Sequence, residues 1–192
     1  MIPQSGVTET SADVLRMRTV LRPGDLGYLT YLHGVLYSRE YGWDSTFEAY
    51  VAAALAEFVL DHEPARERIW FAELGEEIVG SIAIVRARGL DEAGATGDGD
   101  GWGDLVAQLR WFLVHPAARG RGLGRRLLVA ALDFCREAGY RRVMLWTERG
   151  LTTATRLYRS AGFELTEAVT NERWGRVVTE ERYDLVLDAD RR

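Results

Sequence analysis

Leu113-Val114-His115-Pro116-Ala117-Ala118-Arg119-Gly120-Arg121-Gly122-Leu123-Gly124-Arg125-Arg126 joins a β-type apolar run to an amphipathic helix, through a turn with glycines at alternate positions. The first turn of a helix has unpaired backbone N–H groups and the positive end of the helix dipole, so it attracts phosphate oxygens. Glycine lets the backbone approach an anion with no Cβ in the way. Gly120, Gly122 and Gly124, flanked by Arg119, Arg121, Arg125 and Arg126, therefore describe a diphosphate cradle. A P-loop needs Gly-Lys-Ser/Thr at its end, and here Arg125 and Arg126 follow Gly124. The dinucleotide pattern GxGxxG fails as well, because its last glycine is missing. What remains is R-x-x-G-x-G, filled by Arg119, Gly122 and Gly124.

On either side of this turn the apolar period alternates between strand and helix values. Upstream, Val14 to Val20 reads as a strand, and Arg22-Pro23-Gly24-Asp25 is a turn with Asp25 placed to cap a helix. Helices follow from Leu26 to Tyr41 and from Ser45 to Asp61, the second with Phe47, Val51, Leu55 and Phe58 on one face. Ile69 to Leu74 and Glu77 to Arg86 are strands across a short hairpin turn, and Asp104 to Val114 is the next strand. Downstream, Gly122 to Ala138 is a helix with Leu123, Leu127, Leu128, Ala131, Leu132 and Cys135 inward. Arg142 to Thr147 is a strand of buried type, and Thr152 to Ala161 is a short helix stopped by Gly162. Phe163 to Glu167, Trp174 to Thr179 and Tyr183 to Leu187 read as late strands. This order predicts an α/β (α+β) sheet flanked by helices. Residues 1–13 are expected to be a flexible tail, 14–188 one domain, and 89–103 a long Gly- and Asp-rich loop.

The chain has 192 residues, 47% hydrophobic and 28% charged, with a net charge of −5. That balance argues against general nucleic-acid binding, which needs a basic face. The local arginines suit a small polyanion better. One cysteine, Cys135, excludes an internal disulfide and a paired-cysteine metal clip. No signal-peptide pattern and no long apolar run is present, so a cytoplasmic, non-membrane protein is expected. Asp98, Asp100 and Asp104 do not complete a calcium loop, since Trp102 and Leu109 stand at ligand positions. His33, His62 and His115 lack metal-ligand spacing, and no metal is expected. Cys135, Trp70, Trp111, Trp146 and Trp174 read as packing residues.

The R-x-x-G-x-G turn between a strand and a helix resembles the signature of the GNAT N-acetyltransferase family. A second segment, Ala154, Leu157, Tyr158, Gly162 and Phe163, matches the helix that follows downstream in that family. A closer likeness is to the acetyltransferase domain that follows a MarR-type regulator in some bacterial fusion proteins. It rests on Pro23 to Gly27, His33-Gly34, Arg39 to Asp44 and Leu145-Trp146-Thr147, and spans about Leu21 to Leu187. Only about twenty residues precede it, so DNA binding is not carried over. The resemblance implies a mixed, mostly antiparallel sheet of six to seven strands, splayed between the fourth and fifth. It also implies acetyl-CoA as cosubstrate, a primary amine as acceptor, and direct attack in a ternary complex. A homodimer is compatible with it. An acyl-CoA sensor of the same fold, without turnover, is the alternative.

Residue roles follow from that resemblance. Cofactor contacts fall on Phe112, Leu113, Val114, Arg119, Gly120, Arg121, Gly122, Leu123, Gly124 and Arg125. Thr152 is added because Leu151 occupies a position often held by asparagine. Tyr158 matches the tyrosine that protonates the leaving thiolate. The general base is less defined, because the fourth strand carries no acid from Leu105 to Phe112. Glu148 is favoured, with Asp104, His33, Glu40 and a water chain as alternatives. His33, Tyr37 and Glu40 lie on an aromatic-rich first helix that is expected to face the acceptor.

Overall fold

Seven strands form one sheet in the order β1-β2-β3-β4-β5-β7-β6. They are β1 (Leu15–Arg18), β2 (Arg68–Leu74), β3 (Glu77–Arg86), β4 (Val106–Val114), β5 (Arg142–Glu148), β6 (Glu164–Arg173) and β7 (Arg176–Val186). The helices are α1 (Asp25–Tyr41), α2 (Ser45–Asp61), α3 (Leu123–Glu137) and α4 (Thr152–Ser160). This computed structural model describes residues 14–87 and 105–187, so the expected tail (1–13) and loop (89–103) lie outside the described residues.

Every neighbouring pair in the sheet is antiparallel except β4–β5, which is parallel. That parallel ladder pairs only Val106 with Arg142, Ala107 with Val143 and Gln108 with Met144. Beyond Gln108 the two strands part, which is the expected splay.

Each face of the sheet carries its own core. Leu123, Leu127, Leu128, Ala131, Leu132 and Cys135 of α3 pack with Trp70, Ile82, Ile84, Ala107 and Leu109. On the other face, α1 and α2 bring Leu29, Leu32, Phe47, Val51, Leu55 and Phe58 against Ile69, Phe71, Ala83, Trp111 and Leu113. The spacing of four along α2 places its anchors on one face. Asp44 caps that helix by accepting the Thr46 N–H at 2.9 Å. Asp25 does not cap α1 from outside as expected. It is the first helical residue, after Gly24 in a left-handed conformation, and its carboxylate accepts from Arg18 and the Arg22 N–H.

β4 contributes to both cores. Ala83 pairs with Arg110 and Ser81 with Leu113, so β4 holds one residue more than β3 over that interval. Trp111 takes a φ of 47°, and the Ser81 hydroxyl donates to its carbonyl at 2.6 Å. This is a β-bulge, and one extra residue exchanges the faces of a strand. Upstream of it Ala107 and Leu109 therefore point to α3, while Trp111 and Leu113 point to α1 and α2.

The chain end differs from expectation. β6 runs ten residues, Glu164–Arg173, and β7 eleven, Arg176–Val186. The expected gap between Trp174–Thr179 and Tyr183–Leu187 is filled by strand. Its charges are satisfied in place: Glu181 accepts from Arg149 and Tyr183, and Arg182 donates to Asp184.

Candidate active site

The Gly-rich turn is built by short-range bonds that stop before the helix. His115 Nδ1 accepts the Ala117 N–H at 3.3 Å, and the Ala118 and Arg119 N–H groups close a single 3-10 turn over Pro116–Ala118. Gly120 and Gly122 then take φ of 76° and 72°, the left-handed region that only glycine enters without strain. The first bond of α3 joins the Arg126 N–H to the Gly122 carbonyl at 3.1 Å. No hydrogen bond among the described residues takes up the N–H groups of Gly120, Gly122, Leu123 or Gly124. A Cβ added at Gly120 or Gly122 would meet nothing within 4 Å. Open space, unpaired donors and a helix N-terminus fit a diphosphate.

Gly124 is constrained differently. A Cβ there would lie 3.3 Å from Leu157, 3.4 Å from Phe112 and 3.7 Å from Val114. Its hydrogen lets α3, α4 and β4 close together at the mouth of the splay.

A cavity of about 660 Å³ runs from this turn through the splay to α1 and α2. It is lined by Phe112, Leu113, Val114, Arg119, Gly120, Gly122, Leu123, Gly124 and Arg125 of the expected cofactor set. Tyr158, Glu148, His33, Tyr37 and Glu40 line it too, so one space collects the expected catalytic and acceptor residues. Arg121 and Thr152 are not among its lining residues, whereas Thr153 is. Asp104, an alternative base, lies outside the described residues. Arg119 is already engaged. Its Nε donates to the Val114 carbonyl at 3.0 Å and its Nη2 to both oxygens of Glu40 at 2.8 and 3.0 Å. The arginine thus ties the phosphate turn to α1.

Tyr158 is buried between Phe112 and Phe163, each with its ring centroid at 5.8 Å, and its hydroxyl has no hydrogen bond among the described residues. Burial, and then the neighbouring Tyr37 phenol, push its pKa well above the usual phenol value. The group stays protonated and can act as a donor. Burial raises Tyr37 in the same way, with Tyr41 and Glu40 adding to the effect and Arg119 opposing it. His33 donates from Nδ1 to the Leu29 carbonyl at 2.9 Å, since a carbonyl can only accept. Its Nε2 is left as a lone-pair acceptor with no partner. Burial pulls its pKa down to about 4, against the opposing bond to Leu29, so the ring is neutral near pH 7. Glu148 ends β5 with one oxygen accepting the Gly150 N–H at 2.8 Å.

Two lining residues escape a sequence reading. Glu180 sits in Thr179-Glu180-Glu181-Arg182, a charge run that looks solvated, yet it is 8% exposed. Only its register opposite Glu148 reveals its place. Trp174 looks like a strand residue but occupies the β6–β7 turn with φ 55°, its ring centroid 4.2 Å from that of Trp43. No cluster of three or more His, Cys, Asp or Glu suited to a metal occurs among the described residues, and none of their helices is long and apolar enough to cross a membrane.

The fold has close counterparts among solved structures. A Salmonella typhimurium protein assigned as an acetyltransferase, solved with its cofactor acetyl-CoA, superposes with a TM-score of 0.67 at 22% identity, over 92% of this chain and 95% of its own. A GNAT-family acetyltransferase from Staphylococcus aureus Mu50 gives 0.69 at 16% identity, over 91% and 100%. Among curated proteins, the chain is similar to the mycothiol acetyltransferase of Nocardia farcinica (strain IFM 10152), 36% identical over 112 residues, 49% of this chain and 37% of that protein. It is also similar to the uncharacterised N-acetyltransferase YjgM of Escherichia coli K12, 30% identical over 95 residues, half of each chain. The chain spans half or less of the length of the curated relatives it matches. Residues 33–163 match the family model described as Acetyltransferase (GNAT) family. With that match over most of its length, and with the splayed sheet and phosphate turn in place, the chain belongs to the GNAT acetyltransferase family.

Proposed function

We propose that this protein transfers an acetyl group from acetyl-CoA to a primary amine by direct attack in a ternary complex, residues 14–188 acting as one unit in the cytoplasm. The observation that supports this most is the row of unpaired N–H groups at Gly120–Gly124, opening on a cavity that passes through the β4–β5 splay. Bound acetyl-CoA supplies an acetyl group activated as a thioester. Gly120, Gly122, Leu123 and Gly124 hold its diphosphate through backbone N–H groups, aided by Arg121 and Arg125, while Thr152 is a further contact on α4. Phe112, Leu113 and Val114 orient the thioester along the unladdered edge of β4. A backbone N–H on that edge faces the carbonyl oxygen as it gains charge. Glu148 takes a proton from the ammonium, because only the free amine is nucleophilic. Tyr158 donates to the leaving sulfur. His33, Tyr37 and Glu40 wall the acceptor side. The likeness to acetyltransferase domains of MarR-type fusions points to the same chemistry and adds no DNA-binding role.

An amine-panel assay that follows CoA thiol release, paired with calorimetric titration of acetyl-CoA, tests this. Saturable binding with thiol release on at least one amine is expected. Gly122→Trp should abolish binding by filling the space above the turn. Binding without release on any amine would assign the protein to acyl-CoA sensing. Absence of binding at millimolar acetyl-CoA would overturn the reading altogether.

A further inference from the structure

At the α1–α2 end the cavity is walled by Tyr37, Tyr41, Trp43, Phe47, Tyr50 and Trp174. Trp43 lies 4.5 Å from Phe47 and Phe47 lies 5.0 Å from Trp174, ring centre to ring centre. Trp174 holds its position at a backbone cost, since φ 55° is uncommon for a bulky residue. The Asp44 N–H donates to its carbonyl at 3.0 Å, and Arg176 donates to the Tyr41 carbonyl, so the β6–β7 hairpin is fastened over the α1–α2 elbow. Such an apolar wall suits a carbon skeleton.

Two acids stand against it. Glu148 and Glu180 are direct partners across the β5–β7 ladder, and opposite residues in an antiparallel pair project from the same face. Both line the cavity. Glu180 is buried, its Oε2 receives no hydrogen bond, and its ion-pair partner Arg173 stands 3.4 Å away. Like charges directly opposite one another destabilise a sheet, and the Arg173 ion pair at 3.4 Å answers the Glu180 side of this one. Among the described residues four arginines line the cavity: Arg110 donates to the Tyr50 hydroxyl and Arg119 to Glu40, while Arg125 and Arg156 stand on the α3 and α4 side. His33, 2% exposed, adds the unused Nε2 acceptor on the same wall. The Glu148 and Glu180 carboxylates and the His33 Nε2 are acceptors lining this cavity, and its aromatic rings favour a cation through their π faces.

We propose that this end of the cavity is the acceptor site for a primary ammonium carried on a compact aromatic or aliphatic skeleton, with Glu180 anchoring the ammonium beside Glu148. This deepens the proposed transfer and rests on it for turnover. Glu180 binds and positions, and Glu148 removes the proton. Of the three ammonium protons, one goes to Glu148 and on to water, and one ends on the departing sulfur by way of Tyr158. The third stays on the amide nitrogen as the C–N bond forms and the C–S bond breaks. Long polycations and polyhydroxylated amines lack the carbon surface the aromatic wall would cover.

The test is a titration of the purified protein with 2-phenylethylamine, spermidine and an aminoglycoside, followed by tryptophan fluorescence, since Trp43 and Trp174 are in the wall. 2-Phenylethylamine should bind most tightly. Glu180→Gln should weaken it about tenfold or more, the scale of a lost charge-assisted hydrogen bond. Trp174→Ala, a change at an only partly buried turn, should weaken 2-phenylethylamine and leave spermidine unchanged. In turnover assays Glu180→Gln should raise KM for the amine with kcat nearly kept, whereas Glu148→Gln should lower kcat. Equal binding by wild type and both wall variants, or a preference for spermidine or the aminoglycoside, would overturn the assignment. Acetyl-CoA titration is a separate arm. Its failure would remove the proposed transfer, while the amine titration alone decides the acceptor site.

Discussion

The proposed donor role of Tyr158 rests on surroundings that offer a phenolate nothing. Burial comes first, Tyr37 second, and the hydroxyl has no acceptor among the described residues. Tyr158→Phe should lower kcat roughly 100-fold, the usual scale of a general acid, with acetyl-CoA affinity kept. Unaltered turnover with chemistry limiting would remove the role. His33 gives a pH prediction. Its folded pKa, about 4, lies below the ordinary 6.5, so between those values the unfolded chain takes up a proton that the folded ring refuses. Stability from this group is complete above about pH 6.5 and is lost as pH falls toward 4, by up to about 3 kcal/mol. Thermal melts of wild type and His33→Phe should converge in shape above that window, with the acid-side fall reduced in the variant. At this scale the sequence is informative where function needs a residue type at fixed local spacing. Gly120 and Gly122 are readable because their left-handed turn geometry excludes side chains, and Gly124 because α3, α4 and β4 close on it. Glu180 is unreadable, because its burial comes from a partner strand thirty-odd residues away.

At the scale of elements, the bulge in β4 moves Trp111 and Leu113 to the α1–α2 face, and it lies in the stretch of β4 that no longer pairs with β5. The Ser81 hydroxyl holds it through the buried Trp111 carbonyl. Ser81→Ala should therefore cost about 1–2 kcal/mol in denaturant unfolding by leaving that carbonyl unsatisfied. It should also lower kcat more than acetyl-CoA affinity, because the edge is displaced and the phosphate turn is not. Wild-type kcat in a destabilised Ser81→Ala would separate the bulge from catalysis. Helices and early strands are legible from periodicity, α2 being bounded as expected at Ser45 and Asp61. The bulge does not show in the alternation of Leu109-Arg110-Trp111-Phe112-Leu113, and only the family resemblance implies one on this strand, near Phe112 to Val114. The continuity of β7 is not legible, since its charges suggest a break until Arg149, Arg173 and Tyr183 are seen to answer them.

Across the whole molecule, the aromatic wall and the Gly-rich turn belong to different parts of the chain, and Glu40–Arg119 is a bond between them. A ligand spanning the splay touches both. Acetyl-CoA at 100 times its Kd should stabilise the protein by about 2.7 kcal/mol, raising Tm in a concentration-dependent way. No shift under saturating ligand would argue against binding in the gap. Class and order of elements could be expected from the chain alone. The partition of the cavity could not, because it depends on the hairpin at Trp174 folding back over an elbow far away in sequence.

Mechanically, the sheet is two plates joined along one short edge. Among the described residues only three rungs join β4 and β5, and α3 is seated on β3 and β4, on one side of that joint. Slow amide exchange should therefore form two islands, one over β2–β3 and one over β5–β7, with a faster line between them along 109–114. Filling the gap should close that line to solvent before it changes either island.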